Sequence, residues 1–293
     1  MKKALMAALL CLYVAGCGGS SSGSTSPPPP PPPPPPSAAQ LLAEDLQGLS
    51  LDAFYFESFK ALILRSPEDI VWQALEDTFP LDGVGLDDLS EDFQRETFAM
   101  YEVVLDALRT YDRSALTPEE QLNFDIYEYY LQDEVDRLEF IFHDFRATYM
   151  GFSVQRATQR FLTDIHPLET RQDAEDYITR LEAVNSKFSQ LIGHLVKQRN
   201  AGIVEPSLTL NVALGGVSSL ASTDVDSHPY FTNFRDKVQQ ISGLNDSDRD
   251  DLLRRARDAT ANSVIVGYQR LRDQLQDLLN NAPPVIGVSQ YPK

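Results

Sequence analysis

Ten consecutive prolines, at positions 27–36, divide this 293-residue chain. Proline has no backbone N–H and a fixed φ, so such a run can enter neither a helix interior nor the middle of a sheet. It adopts polyproline II, a stiff rod rising ~3.1 Å per residue and so about 30 Å long. Gly18-Gly19-Ser20-Ser21-Ser22-Gly23-Ser24-Thr25-Ser26, just before it, is flexible coil by composition. Residues 17–38 are therefore read as a disordered tether, and any hydrophobic core must come from residues 39–293.

What precedes the tether explains its purpose. Met1-Lys2-Lys3 is a positive n-region, residues 4–13 are apolar, and Val14-Ala15-Gly16-Cys17 sets a branched residue and two small ones before a cysteine. The apolar run is too short for a bilayer core, which needs ~20 residues, but it has the length and flanks of a secretory leader. The pattern is a lipobox: residues 1–16 are the expected signal peptide and Cys17 the expected lipidation site. The Cys17 thiolate can carry a diacylglycerol and the freed amine a further acyl chain. Each buried CH₂ contributes roughly 0.8 kcal/mol, and stable anchoring takes more than one chain. An ordinary leader with a chance cysteine would have no reason to hold these residues in register. The first expected partner is thus a lipid bilayer, reached through acylated Cys17. Gly18 rather than aspartate follows the cysteine, which favours the outer membrane, with the folded part facing the periplasm. Cys11 leaves with the leader, so the mature fold has no thiol to pair and must be held by its core.

Charge narrows the partners further. The formal net charge is −18, and −20 once Lys2 and Lys3 are removed, with 23 basic residues left against 43 acidic ones. Such a surface repels phosphate backbones, so nucleic acid is not an expected partner. It also gives no basic grip on anionic lipid beyond the acyl chains.

The body reads as all-α, an array of antiparallel helices. Ser66-Pro67-Glu68-Asp69 puts a hydroxyl at N-cap, proline at N1 and acids in the first turn. Thr117-Pro118-Glu119-Glu120 repeats this as a capping box, and Thr170-Arg171-Gln172-Asp173 and Ser247-Asp248-Arg249-Asp250 are weaker versions. Tyr177, Leu181, Val184, Phe188, Leu191 and Leu195 step by four and three, one apolar stripe over five turns. Val264, Tyr268, Leu271, Leu275 and Leu278 form a second stripe before Pro283-Pro284. Leu131, Val135, Leu138 and Phe142 line a third helix opening near Pro118. Shorter helices are expected over 50–64, 67–78, 90–110 and 152–164. Residues 208–214 alternate like a strand yet also fit a helix, and a short helix is favoured. No fixed-period repeat indicates a solenoid.

The motifs that would carry chemistry are mostly missing. His143, His166, His194 and His228 are separated by 23, 28 and 34 residues, and none precedes a glutamate, so the helical zinc signature His-Glu-x-x-His is absent. His166-Pro167-Leu168-Glu169 has its proline between two potential ligands and reads as a loop or helix terminus. His194 lies at the edge of the first stripe, and His228-Pro229-Tyr230 reads as a turn entering a helix. Asp246, Asp248 and Asp250 alternate like a calcium loop, but Asp251 stands where the loop needs glycine and Arg257 where it needs the bidentate acid. Asp82-Gly83-Val84-Gly85 reads as a loop rather than a phosphate cradle. A Ser-His-Asp triad can assemble from distant positions, and no Gly-x-Ser-x-Gly elbow points to one. The aromatic-rich span 127–161 is expected chiefly in the core, with a few tyrosines left for a cleft.

Phe161-Leu162-Thr163-Asp164-Ile165-His166-Pro167-Leu168, followed by Asp173-Ala174-Glu175-Asp176-Tyr177-Ile178-Thr179-Arg180-Leu181, resembles the bacterial domain-of-unknown-function family 885. So do Gly202-Ile203-Val204-Glu205-Pro206, the helix over 268–278, and Gly287-Val288-Ser289-Gln290-Tyr291-Pro292-Lys293. The resemblance runs over most of residues 40–293. It implies a largely helical lipoprotein related to zincin-type metallopeptidases. It also implies that zinc and its ligands belong to a second half beyond Lys293, with no catalytic, cofactor-binding or metal residue in this chain. Two functions follow as expectations. One is the N-terminal helical half of an envelope metallopeptidase-like lipoprotein, inactive alone. The other is a self-sufficient lipid-anchored binding or scaffold module. The first predicts a missing C-terminal half or self-association as partner, with Val285, Ile286 and Val288 as orphaned apolar surface.

Overall fold

Side-chain caps fix where the helices begin. In the computed structural model the described residues are 35–148, 152–284, 287 and 291–292; the expected signal peptide, Cys17, the tether up to residue 34, Val285, Ile286 and Val288 lie outside them. Ser37 and Gln40 form a capping box at α1 (Ala38–Asp45), and Ser50 caps α2 (Leu51–Ile63). Ser66 caps α3 (Pro67–Trp72) with proline at its first position. Ser90 caps α4 (Glu91–Leu108), and Thr117 with Glu120 boxes α5 (Pro118–Asp136). After α6 (Val154–Arg160), Thr170 with Asp173 boxes α7 (Arg171–Asn200). Then come α8 (Ser207–Ser222), α9 (Pro229–Val238), α10 (Asp246–Ala259) and α11 (Ile265–Asn280). No strand occurs among the described residues, and none of their helices is long and apolar enough to cross a membrane.

Several boundaries differ from the sequence expectation. The helix expected over 67–78 stops at Trp72, because Ala74 takes φ 52°. The Leu75 and Ala74 N–H groups then close back on the Ile70 and Val71 carbonyls at 2.9 and 3.2 Å, a Schellman ending with alanine where glycine is usual. α5 ends before Leu138 and Phe142, and the chain tightens into a 3₁₀ turn, Arg137–Phe140. Contacts with α7 take Phe142 out of the helix: its carbonyl accepts from Gln198 at 2.7 Å and its ring lies 5.7 Å from the His194 ring. The start expected at Ser247 falls two residues earlier, at a box of Asn245 with Asp248. The ambiguous 208–214 segment lies inside α8, which continues through Gly215 and Gly216.

Two cores form within one compact unit, Pro36–Lys293. Leu42, Phe54, Met100, Val104, Leu108, Phe124 and Leu131 build the first, from α1, α2, α4 and α5. The second gathers both long stripes. Every stripe residue of α7 is buried, and so are Val264, Tyr268, Leu271, Leu275 and Leu278. α5 runs against α4, with Tyr101 on Tyr130 and Arg109 on Glu128. α8 runs against α11, with Ser207 by Pro283 and Ala221 by Gln269. α7 is different. Arg171 pairs with Asp248, the Glu182 carbonyl accepts from Ser263, and Arg199 pairs with Asp277. It therefore runs in the same direction as the continuous α10–α11 helix, which carries a π turn at Thr260–Val264.

The aromatic-rich span lies largely outside the cores. Of its described rings only Phe161 is buried, while Tyr129 and Phe152 are 77% and 73% exposed. α5 accounts for part of this. Its inner face carries Phe124 and Leu131, and its outer face carries Leu122, Ile126 and Tyr129 at helical spacing, the first two 59% exposed. One helix with two apolar faces can bury only one of them against these cores.

Candidate functional site

Residues 66–91 strap the two cores together, and α7 receives them with charged side chains placed along its buried face. Arg180, Lys187 and His194 recur every seventh residue, and all three are buried. Lys187 donates to Glu68 Oε1. The same oxygen accepts the Asp87 N–H at 3.0 Å, while Asp87 Oδ1 accepts from Ser66 Oγ and the Glu68 N–H, both at 3.1 Å. Burial, and then the neighbouring Glu68 charge, push the Asp87 carboxyl up to about 7. One ammonium thus serves two carboxyl groups, a sealed polar lock between strap and helix.

Two turns towards the start of α7, Arg180 makes a different arrangement. α6 runs into a π turn, Phe161–Ile165, that ends at His166, whose N–H donates to the Phe161 carbonyl at 2.8 Å. π turns of this kind often mark functional positions. The His166 ring lies between Asp173 and Arg180: Nε2 donates to the Asp173 carbonyl at 2.9 Å, and Nδ1 accepts from Arg180 Nη1 at 2.5 Å. Burial, then the Arg180 charge, push the imidazole down to about 4, so it is neutral at ordinary pH and keeps the lone pair that Arg180 needs. Arg180 Nε donates to the Gly85 carbonyl at 3.2 Å, and the guanidinium carbon sits 5.3 Å from the Phe161 ring centre. An open cleft of about 450 Å³ lies over this pair. The strap supplies Val71, Glu76, Leu81, Gly83 and Val84, and the other wall carries Pro167, Asp173 and Asp176. Gly83 has φ 121°, a conformation closed to other residues at little strain. Concave sites that combine apolar walls with a few convergent polar groups are common ligand sites.

The remaining histidines are scattered. His143 Nε2 meets the Pro292 carbonyl at 2.8 Å. His194, with Nε2 unpartnered, is pushed down to about 4 by burial and then by Arg146. His228 lies against the Tyr230 and Tyr268 rings, at 5.3 and 6.2 Å, and burial takes it to about 4 as well. Glu205 is also buried; burial, then Asp144, push it up to about 8, a neutral acid at pH 7. Among the described residues no three His, Cys, Asp or Glu side chains are gathered as a metal ion requires. Both ring nitrogens of His166 are committed, so that donor set does not fit zinc.

A second cleft, about 370 Å³, is lined by Tyr101, Tyr127, Tyr130 and Phe59. The Tyr127 and Tyr130 rings stack at 6.3 Å and 10°. These are tyrosines of the kind the sequence left for a cleft. Sequence reasoning passed over Arg180 and Lys187, although a charged residue on an apolar stripe is itself a signal.

The family described as "Bacterial protein of unknown function (DUF885)" matches residues 82–290. The chain belongs to this family. Within DUF885 the match takes in Arg180, Lys187, Asp87 and all four histidines but starts beyond Glu68. A solved structure, "the putative lipoprotein from Colwellia psychrerythraea", has a similar fold, with a TM-score of 0.71 and 16% identity over 88% of this chain. This DUF885 chain spans 44% of that protein's length. No curated protein matches it.

Proposed function

We propose that this chain is the lipid-anchored, all-helical part of a larger envelope protein related to zincin-type metallopeptidases, with the catalytic zinc held in the further part. The observation that carries this reading is the fold likeness, which takes in 88% of this chain but 44% of the solved protein, itself described as a lipoprotein. The outer face of α5, with Leu122, Ile126 and Tyr129 exposed, is a surface that a further half, or a second copy, would cover. On this reading Cys17 is the anchor, and glycine rather than aspartate after it favours the outer membrane, with the helical body facing the periplasm. A self-sufficient lipid-anchored binding module is the second reading, favoured by the two closed cores and by the cleft between the strap and the start of α7.

Metabolic labelling with a fatty-acid analogue tests the anchor. Wild-type protein should carry label and sediment with membranes. Cys17→Ser should carry none and persist as precursor, since serine offers no thiol to the diacylglycerol. An equally labelled Cys17→Ser protein would contradict the proposal.

A further inference from the structure

Arg180 is a buried cation, 4% exposed, with no carboxylate in contact among the described residues. Its recorded partners are neutral: the His166 imidazole and the Gly85 carbonyl. They occupy Nε and one proton of Nη1 and leave Nη2 without an acceptor. A buried cation without a counter-ion is costly, and this one lies on the wall of an open cleft. Asp176, Glu68, Glu76 and Asp173 act on it only through space, and three of them, Asp176, Glu76 and Asp173, line the same cleft. A bare anion entering would gain the guanidinium but face those carboxylates. A bare cation would meet the reverse. Only a ligand carrying both charges satisfies both walls. Val71, Leu81, Val84 and Pro167 leave an apolar flank between them.

We infer that this cleft binds a small zwitterion, a free α-amino acid or a very short peptide with an apolar side chain, its carboxylate on Arg180 and its ammonium towards Glu76 and Asp176. Arg180 is the binding residue. His166 is a positioning residue: its Nδ1 lone pair fixes the guanidinium plane, and its neutrality avoids a second cation beside the carboxylate. A guanidinium fork matches a carboxylate in a way an ammonium cannot.

Calorimetric titration of the full acylated chain in detergent tests this with four probes: leucine, dileucine, N-acetylleucine and leucinamide. Saturable binding is expected for leucine or dileucine, and whichever binds tighter identifies the free acid or the peptide as the natural class. N-acetylleucine and leucinamide, each lacking one charge, should bind about tenfold more weakly or worse. Arg180→Lys should weaken the zwitterion by a similar factor. Because changes at Arg180 can disturb packing, Glu76→Gln with Asp176→Asn provides a second arm. There zwitterion binding should fall while N-acetylleucine binding holds or improves. Absence of binding by both zwitterions at millimolar concentration would overturn the inference. So would binding that neither set of substitutions changes.

Discussion

Lys187 and Glu68 meet across 119 positions of sequence, and each is less than one-tenth exposed. Because Asp87 joins them through Glu68, the lysine is the only cation among the described residues that contacts this pair of carboxyl groups. Removing it leaves those groups buried with no cation in contact. Lys187→Met should therefore destabilise the fold by roughly 3–5 kcal/mol, the range for a broken buried pair. Adding Glu68→Gln should recover part of that loss. Urea unfolding midpoints check both, and a Lys187→Met midpoint equal to wild type would contradict the lock.

Stability should peak near about pH 6. His166, His194 and His228 are each pushed down to about 4 from an ordinary value of 6.5. The unfolded chain therefore binds more protons than the folded one between those values, and stability falls as pH drops from 6.5 towards 4. Glu205 and Asp87 are raised instead, to about 8 and about 7. The folded chain keeps their protons longer, so they remove stability as pH rises from their ordinary values of 4.5 and 3.8 towards 8 and 7; below about pH 6 the three histidines outweigh them, and above it they dominate. Glu205→Gln should flatten the alkaline side, leaving the variant relatively more stable at pH 8 than at pH 5. Melting temperature against pH is the measurement, and a profile rising steadily to pH 8 would contradict it.

Gly267 lets α11 approach α7. A Cβ there would stand 3.2 Å from Phe188 Cδ2 and 3.3 Å from the Asn185 Cα. Gly267→Ala sets that squeeze against a helix-propensity gain of about 1 kcal/mol, and the two should nearly cancel. Gly267→Leu has no such offset and should cost about 1–3 kcal/mol or more by overpacking. Thermal unfolding of both variants beside wild type separates the effects; a leucine variant as stable as the alanine one would mean the helices are not in contact there.

The helices were legible because their signals are local. Thr117 with Glu120, and Thr170 with Asp173, need only three residues to declare a start, and the stripe from Tyr177 to Leu195 needs only its own period. The early end of α3 was not legible, since alanine at position 74 gives no hint of a left-handed turn. The site was half legible. His166 stands out in the sequence as a potential ligand three residues before Glu169, but its role depends on Arg180, fourteen positions on, and on the Gly85 carbonyl, ninety-five positions from that arginine. Arg180, Lys187 and His194 at seven-residue spacing were the available sign. Charged groups on a buried stripe must each find a partner, and the strap supplies two of the three. Nor could the outer face of α5 be told from its inner face, because both are apolar.

On the proposed reading the catalytic zinc lies in the further part, so this chain alone should hold no catalytic metal and hydrolyse no peptide. Metal content by mass spectrometry, run with a peptide-hydrolysis assay on the purified full chain, tests it most directly. Far less than one zinc per chain is expected, with no hydrolysis that a chelator abolishes. One tightly held zinc per chain, with chelator-sensitive cleavage, would contradict it.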